Sequence, residues 1–372
     1  PPDGMMYPGE MKLAGPRTAR RLGVWMGMLA LGGILATLAV VVLASLGLLS
    51  RGLLNIDSLI ARIGFYHYEL LRVKDYAFVG AGLDGFEMLY ASYALLTHVG
   101  FILDSHNLYL AVAIDQGLPG LMALAWAWAG FGYLTLKQAS GRPGLPLCGI
   151  AATSMFVVLA HGCFETALYS TGVFLLFLPL AFALPDGRPW EEPVGLPWRR
   201  AMLPAAGVLV ALALVVILVG PGALLAHLHA NLGAVYQSQA ELGQYSWPEW
   251  PVQDAVRGAV DLGRPVAEFE RALALAPGNG TANRRLGTIE LSLGEYQDAL
   301  RHLRAAYAVE SWSVTTRQLL GEALVVNGHL EEGRALWADV NDDQQQLELR
   351  AFWYGYIGDA EREAAVRLAA AD

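Results

Sequence analysis

Cysteine is almost absent: 372 residues hold two, Cys148 and Cys163. On one helix their 15-residue separation is about 22 Å of rise, too far for a disulfide. They read as small apolar residues and say nothing of redox compartment. Charge is scarce too, at 16% of residues, against about 25% in an ordinary soluble domain. What charge there is leans acidic, 25 Lys and Arg against 34 Asp and Glu, for a net −9. That balance gives no electrostatic footing for a nucleic-acid partner. A secretory signal is missing from the start. The chain opens Pro-Pro-Asp-Gly with its first methionine at Met5, so its natural N-terminus is expected to lie elsewhere. A dinucleotide fingerprint is missing as well, because the Gly-x-Gly at Gly80 and Gly82 lacks the strand–turn–helix context. No metal or cofactor is expected; His227 and His229 sit at i,i+2, and such residues diverge on a helix.

Apolar residues make up 55% of the chain, and its mean hydropathy is +0.39. The average hides a split between a membrane-like stretch, 1–225, and a soluble-like one, 227–372. A span needs about 20 apolar residues to cross a core of about 30 Å. Five segments qualify: Leu22–Leu49, Leu108–Leu136, Leu147–Ala160, Leu168–Leu184 and Ala201–Leu225, the third being the shortest. Basic residues then orient them. Lys12, Arg17, Arg20 and Arg21, then Lys137 and Arg142, then Arg188, Arg199 and Arg200 all fall on one side, the cytoplasm. Loop 51–106, the patch His161–Thr166 and the C-terminal region fall on the other. Arg51, Arg62, Arg72 and Lys74 on the outer loop run against this bias.

Residues 246–360 contain an internal repeat. Gly287, Gly321 and Gly355 are spaced by 34, as are Phe269, Leu303 and Trp337. This is the period of tetratricopeptide helix pairs. Ala299 and Ala306 suit the second helix of a pair, and Pro277 closes the helix before it. The glycine is expected to admit the partner helix and the large residue to fill the groove between units, with the charged faces left to solvent. Such stacks bind peptides or proteins, or pack on a neighbour. Residues 227–250 are expected to form an amphipathic helix and a Trp-rich turn joining membrane to repeats. The expected fold class is therefore all-α: a polytopic transmembrane helical bundle followed by a soluble tetratricopeptide-like α-solenoid. Its parts are a cytoplasmic segment 1–21, a membrane domain 22–225, a linker 226–250 and a repeat domain 251–372.

Two motifs carry chemistry. His106 and Asn107 stand at the mouth of an apolar run, with Gly117 after nine residues and Gly120 three further on. In the outer loop, a helix expected from Ala61 to Lys74 carries Arg62 and Arg72. It leads through Asp75–Val79 into Gly80 and Gly82 and on to Phe86. Glycines can take positive φ and let backbone approach a ligand. Together the motifs resemble the O-antigen ligase and O-antigen polymerase superfamily of membrane glycosyltransferases, over roughly 20–185. Tyr66 stands where that family usually has Trp, and Ala77 where it often has Pro. Family members typically have about ten or more spans, so the chain is expected to be the C-terminal half of such an enzyme. Ligase-like proteins with C-terminal tetratricopeptide repeats are similar to it overall.

The resemblance implies transfer of a glycan from undecaprenyl pyrophosphate to an acceptor hydroxyl at the outer face of the cytoplasmic membrane. The acceptor would be a lipid, a glycan or a protein, and the activated donor needs no nucleotide or metal. A sugar hydroxyl is a poor nucleophile and needs a positioned base; histidine is the side chain best poised near neutral pH. His106 is the candidate base, and Asn107 would orient it or the acceptor. The leaving pyrophosphate wants Arg, whose planar fork matches phosphate oxygens; Arg62 comes first and Arg72 second. Gly80 and Gly82 are candidate substrate-binding turns, and Gly117 and Gly120 candidate packing positions. His161, beside Glu165 at the outer end of a span, is a further substrate-binding candidate, with a helix break as the alternative. Asp104 and Asp115 flank His106 and are candidates to tune it. Two other functions stay open: the same chemistry in a surface polysaccharide polymerase or protein O-oligosaccharyltransferase, and a non-enzymatic scaffold recruiting a protein through its repeats.

Overall fold

The structure, a computed structural model, describes residues 66, 69–82, 89, 105–141, 157–166, 220–244, 252–338 and 344–370. Among them every regular element is a helix. The expected spans Leu22–Leu49 and Leu168–Leu184, and most of Leu147–Ala160 and Ala201–Leu225, lie outside the described residues, as do Arg62, His67, Phe86, His98, Asp104 and Cys148. The chain divides into two compact units. One takes Pro1–Arg62 and Ala123–Pro189; the other takes Ile63–Met122 and Trp190–Asp372.

Helix α1, Leu108–Gly141, is interrupted at Gly117, whose φ of 69° and ψ of −174° are not helical. Gly117 tolerates that backbone because it has no Cβ, and Pro119 cannot donate to the preceding turn. Before the break the helix is inward-facing: Leu108 and Ala111 to Asp115 are all buried. Beyond it, Leu118 and Met122 are exposed. Leu108–Gly130 is the one stretch among the described residues long and apolar enough to cross a membrane. The sequence reading ran a continuous span through Leu108–Leu136; the glycine and proline divide it.

Among the described residues of the larger unit nine further helices follow: α2 (Pro221–Leu242), α3 (Gln253–Ala259), α4 (Gly263–Leu275), α5 (Gly280–Leu293), α6 (Tyr296–Glu310), α7 (Val314–Val326), α8 (Leu330–Ala338), α9 (Gln344–Tyr356) and α10 (Ala360–Ala370). The boundaries have local causes. Asn279 caps α5 by accepting from Ala282 N at 2.9 Å, and Gly294 ends it in the left-handed conformation, φ 80°. Ser313 caps α7 on Thr316 N. Such caps hold roughly 1 kcal/mol each.

The helices pack chiefly as α2 with α4, α5 with α6, α7 with α8 and α9 with α10, and α6 meets α7. A Cβ at Gly287 would lie 2.5 Å from Leu303 Cγ, and one at Gly321 would strike the Trp337 ring. So the large residue of each pair fills the space its own glycine leaves, not a groove between pairs. Burying such a side chain contributes about 1.5–3 kcal/mol. Phe269 lies likewise against Gly233 of α2, a helix read from sequence as linker. At Gly355 the neighbour is the Glu363 side chain, so the last pair has no large apolar counterpart.

Candidate active site

The second motif enters as the helical residues 69–75 and tightens into a turn. Tyr76 N donates to Arg72 O and Gly80 N to Tyr76 O, both at 2.9 Å. Gly80 and Gly82 follow with φ of 74° and 105°. The turn is laced to the break in α1. In an unbroken helix Leu118 N would donate to Ile114 O, and residue 119 to Asp115 O. Here Leu118 N turns to Ala77 O at 2.7 Å, and Pro119 has no N–H to give. The two carbonyls so released accept from the turn: Ile114 O from Ala81 N at 2.7 Å, Asp115 O from Gly82 N at 3.0 Å. Contact is so close that a Cβ on Gly80 would collide with the Asp115 carbonyl, and one on Gly117 would sit 2.8 Å from Ala77 O. The backbone approach expected of Gly80 and Gly82 is thus an approach to α1, and their N–H groups are engaged within the chain. Gly117 packs against the turn, while Gly120 makes room for the Gln116 side chain.

His106 lies two residues before α1, half-buried, with φ of 47°. It is the only non-glycine among the described residues with positive φ. A histidine there costs on the order of 1–2 kcal/mol relative to ordinary backbone, so neighbours must hold it. Tyr66 OH donates to His106 O at 3.0 Å, and Ser105 Oγ donates to Asn107 O at 2.8 Å. Asn107 is the helix cap: its Oδ1 accepts from Tyr109 N and Leu110 N, each at 3.0 Å. That oxygen is committed to starting α1. Arg72 is fully buried, with Nη1 2.5 Å from Glu69 Oε1. The guanidinium expected to meet a pyrophosphate is turned to a carboxylate inside the protein. The carbonyl of Asp115, whose residue is also buried, serves the turn. His161 belongs to the other unit, exposed at the end of a helical turn that closes through Phe164 N on His161 O at 2.9 Å.

Sequence reasoning missed the residues that hold the turn from below. Asp75 is fully buried and takes Thr281 Oγ1 at 2.8 Å, Arg284 Nη2 at 2.7 and 2.9 Å, and Arg285 Nε at 3.0 Å. Tyr76 OH meets Ser238 Oγ at 2.5 Å and accepts from Arg285 Nη2 at 2.9 Å. Asn231 of α2 spans the turn, donating from Nδ2 to Asp75 O and accepting Val79 N at 3.3 Å. Lys74 pairs with Glu310 at 2.6 Å, and Arg284 Nε joins the same carboxylate at 3.0 Å. Lys74 has a second effect. Burial first, then this nearby cation, hold the His227 imidazole below its ordinary pKa. One signal was available: Arg284 and Arg285 stand three and two residues before Gly287, where the later units have Gln318-Leu319 and Phe352-Trp353. Among the described residues no group of three or more His, Cys, Asp or Glu is placed to hold a metal. No protein-family model, curated protein or solved structure matches the chain.

Proposed function

We propose that the protein is a multi-pass membrane glycosyltransferase, similar to O-antigen ligases. It would move a glycan from undecaprenyl pyrophosphate to an acceptor hydroxyl at the outer face of the cytoplasmic membrane. Its C-terminal helix pairs would form a tetratricopeptide-like stack on that side. The observation that carries this reading is His106: a histidine in left-handed backbone, held by Tyr66 at the start of an apolar helix. Strained backbone of this kind concentrates at functional sites. Support comes also from the interlock, which makes the two motifs one piece of structure. The apolar side chains exposed after Gly117 suit a membrane boundary there, leaving His106 near headgroup depth.

In the proposed step the acceptor oxygen attacks the anomeric carbon and gives its proton to the His106 ring. The bond from that carbon to the pyrophosphate oxygen breaks, and undecaprenyl pyrophosphate leaves with the electron pair. Arg62 remains the proposed partner of the leaving group. Arg72, paired with Glu69, braces the helix that leads into the turn. The test is transfer of radiolabelled lipid-linked glycan in membranes containing the protein. His106→Ala is expected to lower turnover by at least about 100-fold at unchanged protein level. Equal transfer by both proteins would remove His106 from the chemistry. Product size separates a ligase from a polymerase, and a labelled polypeptide would indicate a protein O-oligosaccharyltransferase.

A further inference from the structure

We propose that the α5–α6 pair of the C-terminal stack is an internal clamp, with Arg284 and Arg285 of α5 as positioning residues. They grip Asp75 and so set the turn 76–82, the first two turns of α1 and His106. The consequence for His106 rests on the function proposed above; the clamp itself does not.

Four observations carry the inference. The grip joins residues 209 and 210 apart in sequence, so nothing local dictates it. All three charged side chains are buried, at 6% exposure or less. A buried carboxylate between two guanidiniums has one good geometry, and a slipped register would leave charges unpaired. The arginines do not belong to the packing pattern of the stack, since the equivalent residues in later units carry no charge. Finally, the grip connects directly to the site. Asp75 begins the turn whose Ala77, Ala81 and Gly82 exchange backbone hydrogen bonds with Ile114, Asp115 and Leu118. Asn231 of α2 fixes the first half of the same turn, through Asp75 O and Val79 N. The stack therefore has a ligand of its own, an acidic turn supplied by the same chain. Reading the repeats only as a platform for another protein leaves that contact out.

Hydrogen exchange on the full chain in detergent tests the clamp. The variant Arg284→Gln/Arg285→Gln is compared with the wild type. Amides of 80–82 and 118 should exchange at least about 10-fold faster, while those of α7–α10 stay within about 2-fold. Unchanged protection at 80–82 overturns the clamp. If the double variant loses protection throughout, Arg285→Lys replaces it. That variant keeps the charge but cannot reach Asp75 and Tyr76 together, and the same two outcomes decide. In the transfer assay the variant should lose kcat by about 10-fold or more with donor KM within about 3-fold, because the base is displaced while donor contacts remain. Faster exchange at 80–82 with kcat unchanged would overturn the positioning role. Faster exchange in the variant, together with a wild type that transfers no glycan, would keep the clamp and remove the glycosyltransferase reading.

Discussion

Among the described residues of the larger unit, two clusters of buried charge are built to opposite recipes and stand in contrast. In one, a single carboxylate, Asp75, lies between two guanidiniums, with Lys74 and Glu310 beside them. In the other, a single guanidinium, Arg350, lies between two carboxylates, Asp254 at 2.7 Å and Glu322 at 2.5 Å. Tyr354 OH donates to the same Glu322 at 2.7 Å. The first joins the motif turn to α5 across more than 200 residues of sequence. The second joins helices α3, α7 and α9 of the stack, across 96 and 28 residues. The contrast separates two uses of buried charge. Within the stack, an apolar core already fixes the fold, so the Arg350 cluster seats the short helix α3. At the turn, few side chains are available to bury, since four of the seven residues 76–82 are Gly or Ala. There the charges supply the register that packing cannot.

The largest expected effect tests that second use. Asp75→Ala leaves Arg284 and Arg285 buried without their shared carboxylate, which typically costs about 3–5 kcal/mol. Urea unfolding in detergent should show the midpoint falling sharply. Asp75→Asn should fall less, because its oxygen can still accept from Thr281 and one arginine. An Asp75→Asn variant as stable as the wild type would mean that the charge itself matters little and that shape and hydrogen bonding hold the turn.

The next effect is pH-dependent and belongs to the stack. Burial alone would raise the Asp254 pKa, but Arg350, then Arg257 and Ser292, outweigh it and hold the carboxyl below its ordinary value. A carboxyl lowered in the folded state stabilises it above the unfolded pKa of about 4 and gives that stability up as pH falls through the folded value. The contribution of Asp254 should therefore be flat from neutral pH down to about 5 and shrink below about 4. Arg350→Met should destabilise at neutral pH by about 3 kcal/mol and lose much of that penalty in acid, as the stranded carboxylates take up protons. A penalty that stays constant between neutral and acid pH would show that Arg350 acts through packing and not through charge.

What could be seen in the sequence follows the same division. Spacing revealed Gly287, Gly321, Leu303 and Trp337, because contacts within a helix hairpin recur at a fixed period. Phe269 was found by that period, but its partner Gly233 was not, since α3 interrupts the first pair. The motif turn was visible as Gly-x-Gly, whose glycines permit close backbone approach. The thing approached was not, because a backbone carbonyl on α1 leaves no mark in composition. Pro119 did carry a usable signal: an imide two residues after a glycine divides a helix, and the apolar run masked it. The grip on Asp75 had no local signature at all. Its only trace was a pair of arginines where the repeat elsewhere places neutral residues.

The smallest effects lie in the glycines of the stack, and they compare its two ends. Gly287 and Gly355 occupy equivalent places 68 residues apart, yet they face different neighbours. A methyl group at Gly287 would press on the buried Leu303, whose side chain is fully enclosed. Overpacking of that kind costs about 1–3 kcal/mol. At Gly355 the obstacle is the carboxylate end of Glu363, a flexible side chain with 30% exposure that already reaches Arg367 at 2.9 Å. It can swing outward, and alanine favours a helix over glycine by up to about 1 kcal/mol. Gly287→Ala should therefore lower the unfolding midpoint clearly, and Gly355→Ala should leave it nearly unchanged or raise it slightly. Equal losses at the two positions would mean that α10 packs on α9 as tightly as α6 on α5, although the last pair has no large apolar residue in the gap.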